Sequence, residues 1–260
     1  MNTINVNGIT VHYAIEGRGP VVTLSHSLSC DLTMWDALAA ALAGAHTVLR
    51  YDTRGHGGSS APEGDYSFEQ LVCDVLGLLD GLKIEHTAWV GVSMGGMIGQ
   101  HLALAAPQRL GKLVIANSTS RIPPEAGPLW DERMRIAREQ GCAGLVDGTL
   151  GRWFTPGFRA ARPDVMQRIG TLIAGTPVAG YVGCGAAIRP LDITPKIGAI
   201  EAPTLVIAGA DDPGTPPAMS ETIAATIPGA TLEIIPSASH LAVLEQPETF
   251  HRLVLDFLKD

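Results

Sequence analysis

Gly91-Val92-Ser93-Met94-Gly95 is the stretch on which the reading of this 260-residue chain turns. The run before it, Thr87-Ala88-Trp89-Val90, is apolar and β-prone. The run after it, Gly96-Met97-Ile98-Gly99-Gln100-His101-Leu102-Ala103-Leu104, has the small and apolar residues of a buried helix. G-x-S-x-G occurs by chance in many chains, and its weight here comes from that strand-turn-helix context. So tight a turn forces the serine into a strained backbone conformation, and glycines flank it because a Cβ would strike the neighbouring strand or helix. The Ser93 hydroxyl is then presented to a cleft at the carboxyl edge of a sheet.

Working outward, the N-terminal side reads as strands leading into a buried sheet. Thr3 to Val6 and Ile9 to Ile15 alternate around Asn7-Gly8, a hairpin signal because both turn residues tolerate positive φ. Val21 to Ser25 is a near-continuous apolar run, the pattern of a strand covered on both faces, and Thr47 to Asp52 reads as the next strand. Between them, His26-Ser27-Leu28-Ser29 forms a loop, and Asp31 to Leu42 carries a helical stripe of Trp35, Leu38, Ala39 and Leu42. A loop in that place can offer one backbone N–H to an oxyanion, and the residue after the serine can offer another. Leu28 and Met94 are the expected donors, with Ser27 the neighbouring possibility for the first. The glycine-rich turn Thr53 to Ser59 lacks the Gly-Lys-Ser/Thr arrangement that cradles phosphates and reads as structural. Ser67-Phe68-Glu69-Gln70 resembles a capping box and opens an amphipathic helix to about residue 81.

Beyond the serine, Leu113 to Asn117, Pro203 to Gly209 and Thr231 to Pro236 continue the sheet. A carboxylate just past a strand end lies in the crevice of an open parallel sheet, where an acid orienting a histidine belongs. Asp212 is the expected acid and Asp211 its alternative. His240 follows the last strand, completing the order Ser93, Asp212, His240 expected of this architecture. Of the chain's 8 histidines, His26 and His56 also fall in loops at that edge but precede the serine, which suits structural or pocket roles. From Arg121 to about Ile200 the texture changes to helical segments broken by Pro and Gly, without strong strand runs. That segment is expected to be a helical insertion over the cleft. Its aromatics, Trp130 and Trp153 among them, serve either as pocket lining or as packing, and of its arginines Arg121, Arg133, Arg135 and Arg152 could pair with an anionic substrate group, most such charges being expected at the solvated surface.

Composition excludes several functions. A formal charge of −8, with no Lys/Arg run, opposes attraction to nucleic acid or an anionic membrane surface. The first residues lack a basic start and an apolar core of signal-peptide length, so a cytoplasmic location is expected. Cys30, Cys73, Cys142 and Cys184 are widely separated and show no metal-ligand spacing, so thiols are expected and no metal or other cofactor. Oligomeric state is not encoded in any of these patterns.

The chain resembles the α/β-hydrolase fold superfamily and, within it, the 3-oxoadipate enol-lactonases of aromatic-compound degradation. The similarity rests on Ser27-Leu28 with Asp31-Leu32-Thr33-Met34-Trp35, on Leu49 to Gly57, and on Gly91 to Gln100. It extends through Ala106 to Leu110, Trp130-Asp131-Glu132-Arg133, Arg152-Trp153-Phe154 and Pro203 to Ala210. The resemblance implies a mostly parallel, eight-stranded sheet flanked by helices, with residues 1–120 and 201–260 as the core and 121–200 as an inserted helical cap. It also implies serine-dependent hydrolysis of a small-molecule ester or lactone bearing a carboxylate, with Ser27, Trp130, Arg133 and Trp153 at the pocket and Arg133 as counter-ion. A carboxylesterase or perhydrolase of the same fold, or a ligand-binding receptor with a vestigial triad, would share the same three residues. An aspartate-nucleophile dehalogenase or epoxide hydrolase would not carry Ser93.

Overall fold

In the computed structural model, which describes residues 2–259, Asn7 and Gly8 take φ of 49° and 78° and reverse strand β1 (Asn2–Val6) onto β2 (Ile9–Gly17) in antiparallel register. The chain then enters the buried part of the sheet through β3 (Val21–Ser25) and β4 (Thr47–Tyr51), joined by α1 (Asp36–Leu42). The helix expected from Asp31 is split: Asp31 caps a 3₁₀ turn over Leu32–Trp35, accepting from the Thr33 N–H at 2.9 Å, and regular helix begins only at Asp36. Asp31 thus anchors the tighter turn locally.

Ser67 accepts from the Gln70 N–H at 3.2 Å and starts α2 (Phe68–Gly81), which packs on α3 (Met94–Ala105), the helix that leaves β5 (Thr87–Val92). Strand β6 (Leu110–Ala116) begins earlier than the apolar run suggested and stops before Asn117, whose φ is 44°. The sheet is resumed by β7 (Thr204–Gly209) and β8 (Thr231–Ile235). In space the order is β1-β2-β4-β3-β5-β6-β7-β8. Only the β1-β2 and β2-β4 pairings are antiparallel. The rest are parallel, so β5 lies near the middle with its carboxyl end beside those of β3 and β6. Val22, Leu24, Trp89, Val90, Leu113, Val114 and Ile207 are wholly buried, as near-continuous apolar strands between helical layers require.

Between β6 and β7 lie α4 (Gly127–Gln140), α5 (Val146–Trp153), α6 (Pro156–Ala161), α7 (Pro163–Gly175) and α8 (Val178–Ile188). The two ends of this excursion are joined: Ile122 N–H donates to Leu191 at 2.8 Å, Ile193 N–H to Ser120 at 2.9 Å, and the Ser120 and Thr194 hydroxyls meet at 2.7 Å. The chain closes with α9 (Pro217–Thr226), α10 (Ala242–Glu245) and α11 (Pro247–Leu258), the last packing on α1. Cys30, Cys142 and Cys184 are buried, Cys73 is exposed, and all four thiols are free. Among the described residues no single helix is long and apolar enough to cross a membrane.

Candidate active site

Ser93 occupies the turn between β5 and α3 with φ 55° and ψ −115°, a conformation rarely adopted by a side-chain-bearing residue. The flanking glycines explain how the turn fits. A Cβ on Gly91 would come within 2.2 Å of the Gly95 carbonyl oxygen, and one on Gly95 within 2.1 Å of the Ser25 carbonyl oxygen. The strained serine is held from both sides: its N–H donates to Ala116 at 2.9 Å, and its carbonyl accepts from the Ser118 hydroxyl at 2.8 Å. Ser118 follows β6, so the neighbouring strand's carboxyl end fixes the turn.

At the ends of β7 and β8 the structure brings Asp212 and His240 together, with Nδ1 of the imidazole 2.8 Å from Asp212 Oδ2. Asp211 is exposed and takes no part in this contact, whereas Asp212 is buried. The carboxylate is fully engaged. Oδ1 accepts from the Gly214 and Thr215 N–H groups at 2.8 and 3.0 Å, and Oδ2 also accepts from the Thr215 hydroxyl at 2.7 Å and Asn117 Nδ2 at 3.1 Å. Burial alone would raise its pKa; the imidazole's charge and hydrogen bond, with the Thr215 donors, outweigh burial and hold it below the usual carboxylate range. An ionised Asp212 accepting from Nδ1 leaves Nε2 as the acceptor nitrogen of the neutral imidazole. Asn117 also donates to the Ser239 carbonyl at 3.2 Å, tying the end of β6 to the histidine loop.

The loop after β3 is braced by two buried histidines. Nε2 of His56 accepts from the Ser29 N–H at 3.0 Å, and Nε2 of His26 accepts from the Thr53 N–H at 2.9 Å. Each ring offers its Nδ1 to a carbonyl, His26 to Ser27 at 2.7 Å and His56 to Arg54 at 3.2 Å, so both rings are neutral with the proton on Nδ1. Burial drives both pKa values down; for His56, with His26 adding to the effect, it falls to about 3. Ser29 has φ 61°; its N–H is taken by His56, and that of Cys30 by the Ser27 carbonyl. The Leu28 and Met94 N–H groups donate to no protein acceptor among the described residues. Ser27 is fully buried and its hydroxyl has no partner.

A sequence model of the alpha/beta hydrolase fold matches residues 20–247. The chain belongs to the α/β-hydrolase family. It is 36% identical over 260 residues to 3-oxoadipate enol-lactonase 2 of Acinetobacter baylyi, covering 99% of this chain and 96% of that one. The crystal structure of the enol-lactonase from Burkholderia xenovorans LB400 superposes with a TM-score of 0.95 at 40% identity, covering 100% of both chains. The thermophilic esterase from Thermogutta terrifontis, solved with malate bound, gives a TM-score of 0.94 at 27% identity, covering 99% of this chain and 98% of that one.

In this α/β hydrolase the helices between β6 and β7 reach the histidine. The buried Trp153 ring stacks on the His240 imidazole, centroids 6.0 Å apart. Trp130 is half-buried, with the Arg133 guanidinium 5.2 Å from its ring centroid. Arg133 is mostly buried, its Nε has no partner, and desolvation lowers its pKa. Arg152 behaves alike: burial, then the neighbouring Arg133 charge, bring it down to about 10. The other two candidate arginines are already paired, Arg135 with Glu132 and Glu139, Arg121 with Asp192. Phe154 and Phe158 stack on each other at 5.5 Å and serve packing. Sequence reasoning did not single out Asn117, Thr215 or Glu245. For Asn117 the available signal was its place at the carboxyl end of β6, between the serine strand and the aspartate strand. Thr215 lies only three residues beyond Asp212 in a turn segment.

Proposed function

We propose that this hydrolase opens a carboxylate-bearing lactone through an acyl-enzyme on Ser93, with 3-oxoadipate enol-lactone as the substrate. The observation that carries the chemistry is the buried Asp212-His240 pair at the same sheet edge as the strained Ser93 turn. Ser93 Oγ attacks the lactone carbonyl as its proton passes to His240 Nε2, and Asp212 stabilises the imidazolium formed. The oxyanion is received by the Leu28 and Met94 N–H groups. Collapse breaks the ring C–O bond, and His240 returns the proton to the departing enol oxygen, which stays tethered to the acyl chain. The same imidazole then takes a proton from water, whose oxygen attacks the acyl-enzyme. Ser93 leaves with that proton, and the free acid is released.

The substrate class follows from the helical segment, which we read as a cap with Trp130, Arg133, Trp153 and Ser27 at the pocket. Two partly buried arginines without a carboxylate partner suit an anionic substrate group. The enol-lactonase relatives support this reading. The likeness to the Thermogutta esterase supports a second one, a general carboxylesterase with the same three residues. Turnover of the enol-lactone against short aryl esters, with Ser93→Ala as the blank, separates them. If the aryl esters are consumed while the lactone is untouched, the lactonase assignment fails.

A further inference from the structure

Glu245, the last residue of α10, is buried at 7% exposure within the apolar run Ala242-Val243-Leu244. Its Oε1 accepts from both the N–H and the hydroxyl of Thr155, each at 2.8 Å, and its Oε2 accepts a short hydrogen bond from the Ser239 N–H. All three partners are donors, and none is a cation. A carboxylate can accept on both oxygens in this way; a carboxamide would aim an N–H at an N–H.

The two ends of this bridge matter to the chemistry. Ser239 immediately precedes His240, and Thr155 lies two residues beyond Trp153, whose ring stacks on that imidazole. Further bonds join the same two segments: the Ser239 hydroxyl donates to the Arg152 carbonyl at 2.9 Å, and the Leu241 N–H donates to the Trp153 carbonyl at 3.2 Å. The backbone on both sides of His240 is therefore tied to residues 152–155. Of the groups in this strap, the Glu245 carboxylate grips both segments at once through a charged side chain.

We infer that Glu245 is a positioning residue: by clamping Thr155 to the Ser239 amide it holds the His240 imidazole in line with Ser93. The inference rests on the proposed role of His240 as base. A misplacement of about 1 Å in a reacting group can cost about 10² in rate. Loss of the clamp should therefore lower turnover while leaving substrate binding in place.

The test uses the full-length Glu245→Gln variant with p-nitrophenyl butyrate. Competent sites are counted by end-point labelling of Ser93 with a fluorophosphonate, and the labelling rate is recorded separately. The expected result is a fall of about 10²-fold in kcat per labelled site, a parallel fall in labelling rate, and KM within about twofold of the parent. Wild-type kcat per site, with the loss confined to the number of labelled sites, would show a merely structural role and overturn the inference. Should Glu245→Gln fail to fold, Thr155→Val removes one of the two contacts at Oε1 and keeps the Ser239 contact. Its kcat per site should fall about tenfold, the size of one lost hydrogen bond to a charged group, and Thr155→Ser should recover most of that loss. Equal kcat per site for Thr155→Val and the parent overturns the inference. Ser93→Ala and His240→Ala serve as controls. If they still turn over the ester, the underlying mechanism fails; if they are inert while Glu245→Gln is fully active, only the positioning role fails.

Discussion

At the carboxyl edge of the sheet, Asp212 has a donor for each oxygen, whereas in the helices between β6 and β7 Arg133 Nε has no partner at all. In the first region the framework is pinned, the Ser93 turn by Ala116 and Ser118 and the histidine by Asp212, and the open donors are the backbone N–H groups of Leu28 and Met94. The second leaves donors unused beside aromatic rings. Groups that must already be placed when a barrier is crossed are preorganised by the protein, while groups that recognise a particular ligand are completed by it. On the proposed function, the edge of the sheet carries the chemistry and the helices between β6 and β7 the selection.

Breaking the first region should have the largest effect. Ser93→Ala is expected to lower kcat by about 10⁶-fold, and Asp212→Asn, which leaves the shape intact but permits the wrong imidazole tautomer, by about 10⁴-fold. KM should move far less than kcat in both, since neither group is asked to bind the ground state more tightly. Steady-state kinetics on an activated ester decides the matter; a Ser93→Ala protein within tenfold of the parent would remove this edge as the site of chemistry.

Breaking the second region should be milder and should depend on the substrate. Arg133→Met keeps much of the side chain's length and its contact with Trp130 while deleting the charge. For a lactone bearing a carboxylate, the loss of one charged hydrogen bond is expected to raise KM by about 10 to 100-fold. A neutral aryl ester should be turned over within about twofold of the parent, because it offers the guanidinium nothing to bind. Equal losses on both substrates would show that Arg133 holds the helices together, and would move the selecting role elsewhere.

The two regions were not equally legible in the sequence. The edge of the sheet could be read because its residues sit at positions set by local physics: a serine between glycines after a strand, and an acid and a histidine each just past a strand end. Near-continuous apolar runs marked the strands they follow. What escaped was long-range. Asn117 meets Asp212 at a sequence separation of 95, and Glu245 meets Thr155 at a separation of 90, and no spacing rule connects residues so far apart. The Asp31–Leu42 helix was overextended for a different reason: the stripe is genuine, but the Asp31 side chain caps a tighter turn that periodicity cannot distinguish from helix. In the helical segment four arginines were named as candidates, and only burial separates Arg133 and Arg152 from the paired Arg121 and Arg135.

The smallest expected effect concerns the brace of the first region and depends on pH. His56 is neutral and wholly buried in the folded protein, where burial and the neighbouring His26 bring its pKa from 6.5 down to about 3. In the unfolded chain the same ring protonates near 6.5, so between pH 6.5 and about 3 the unfolded state binds the extra proton. Stability contributed by the neutral ring is therefore complete above pH 6.5 and is lost as the pH falls through that window. His26 shifts in the same direction, burial outweighing the opposing pull of Asp52, and adds to the slope. At pH 5, still above the range where most carboxylates titrate, His56 alone should cost about 2 kcal/mol relative to pH 7. Urea unfolding at pH 7 and pH 5 measures this directly. His56→Asn keeps an acceptor for the Ser29 N–H but cannot titrate, so it should flatten the slope while lowering stability at pH 7. If the parent's unfolding midpoint is the same at both pH values, the loop beside Ser93 is not held by neutral imidazoles, and the preorganisation argued for that edge loses one of its supports.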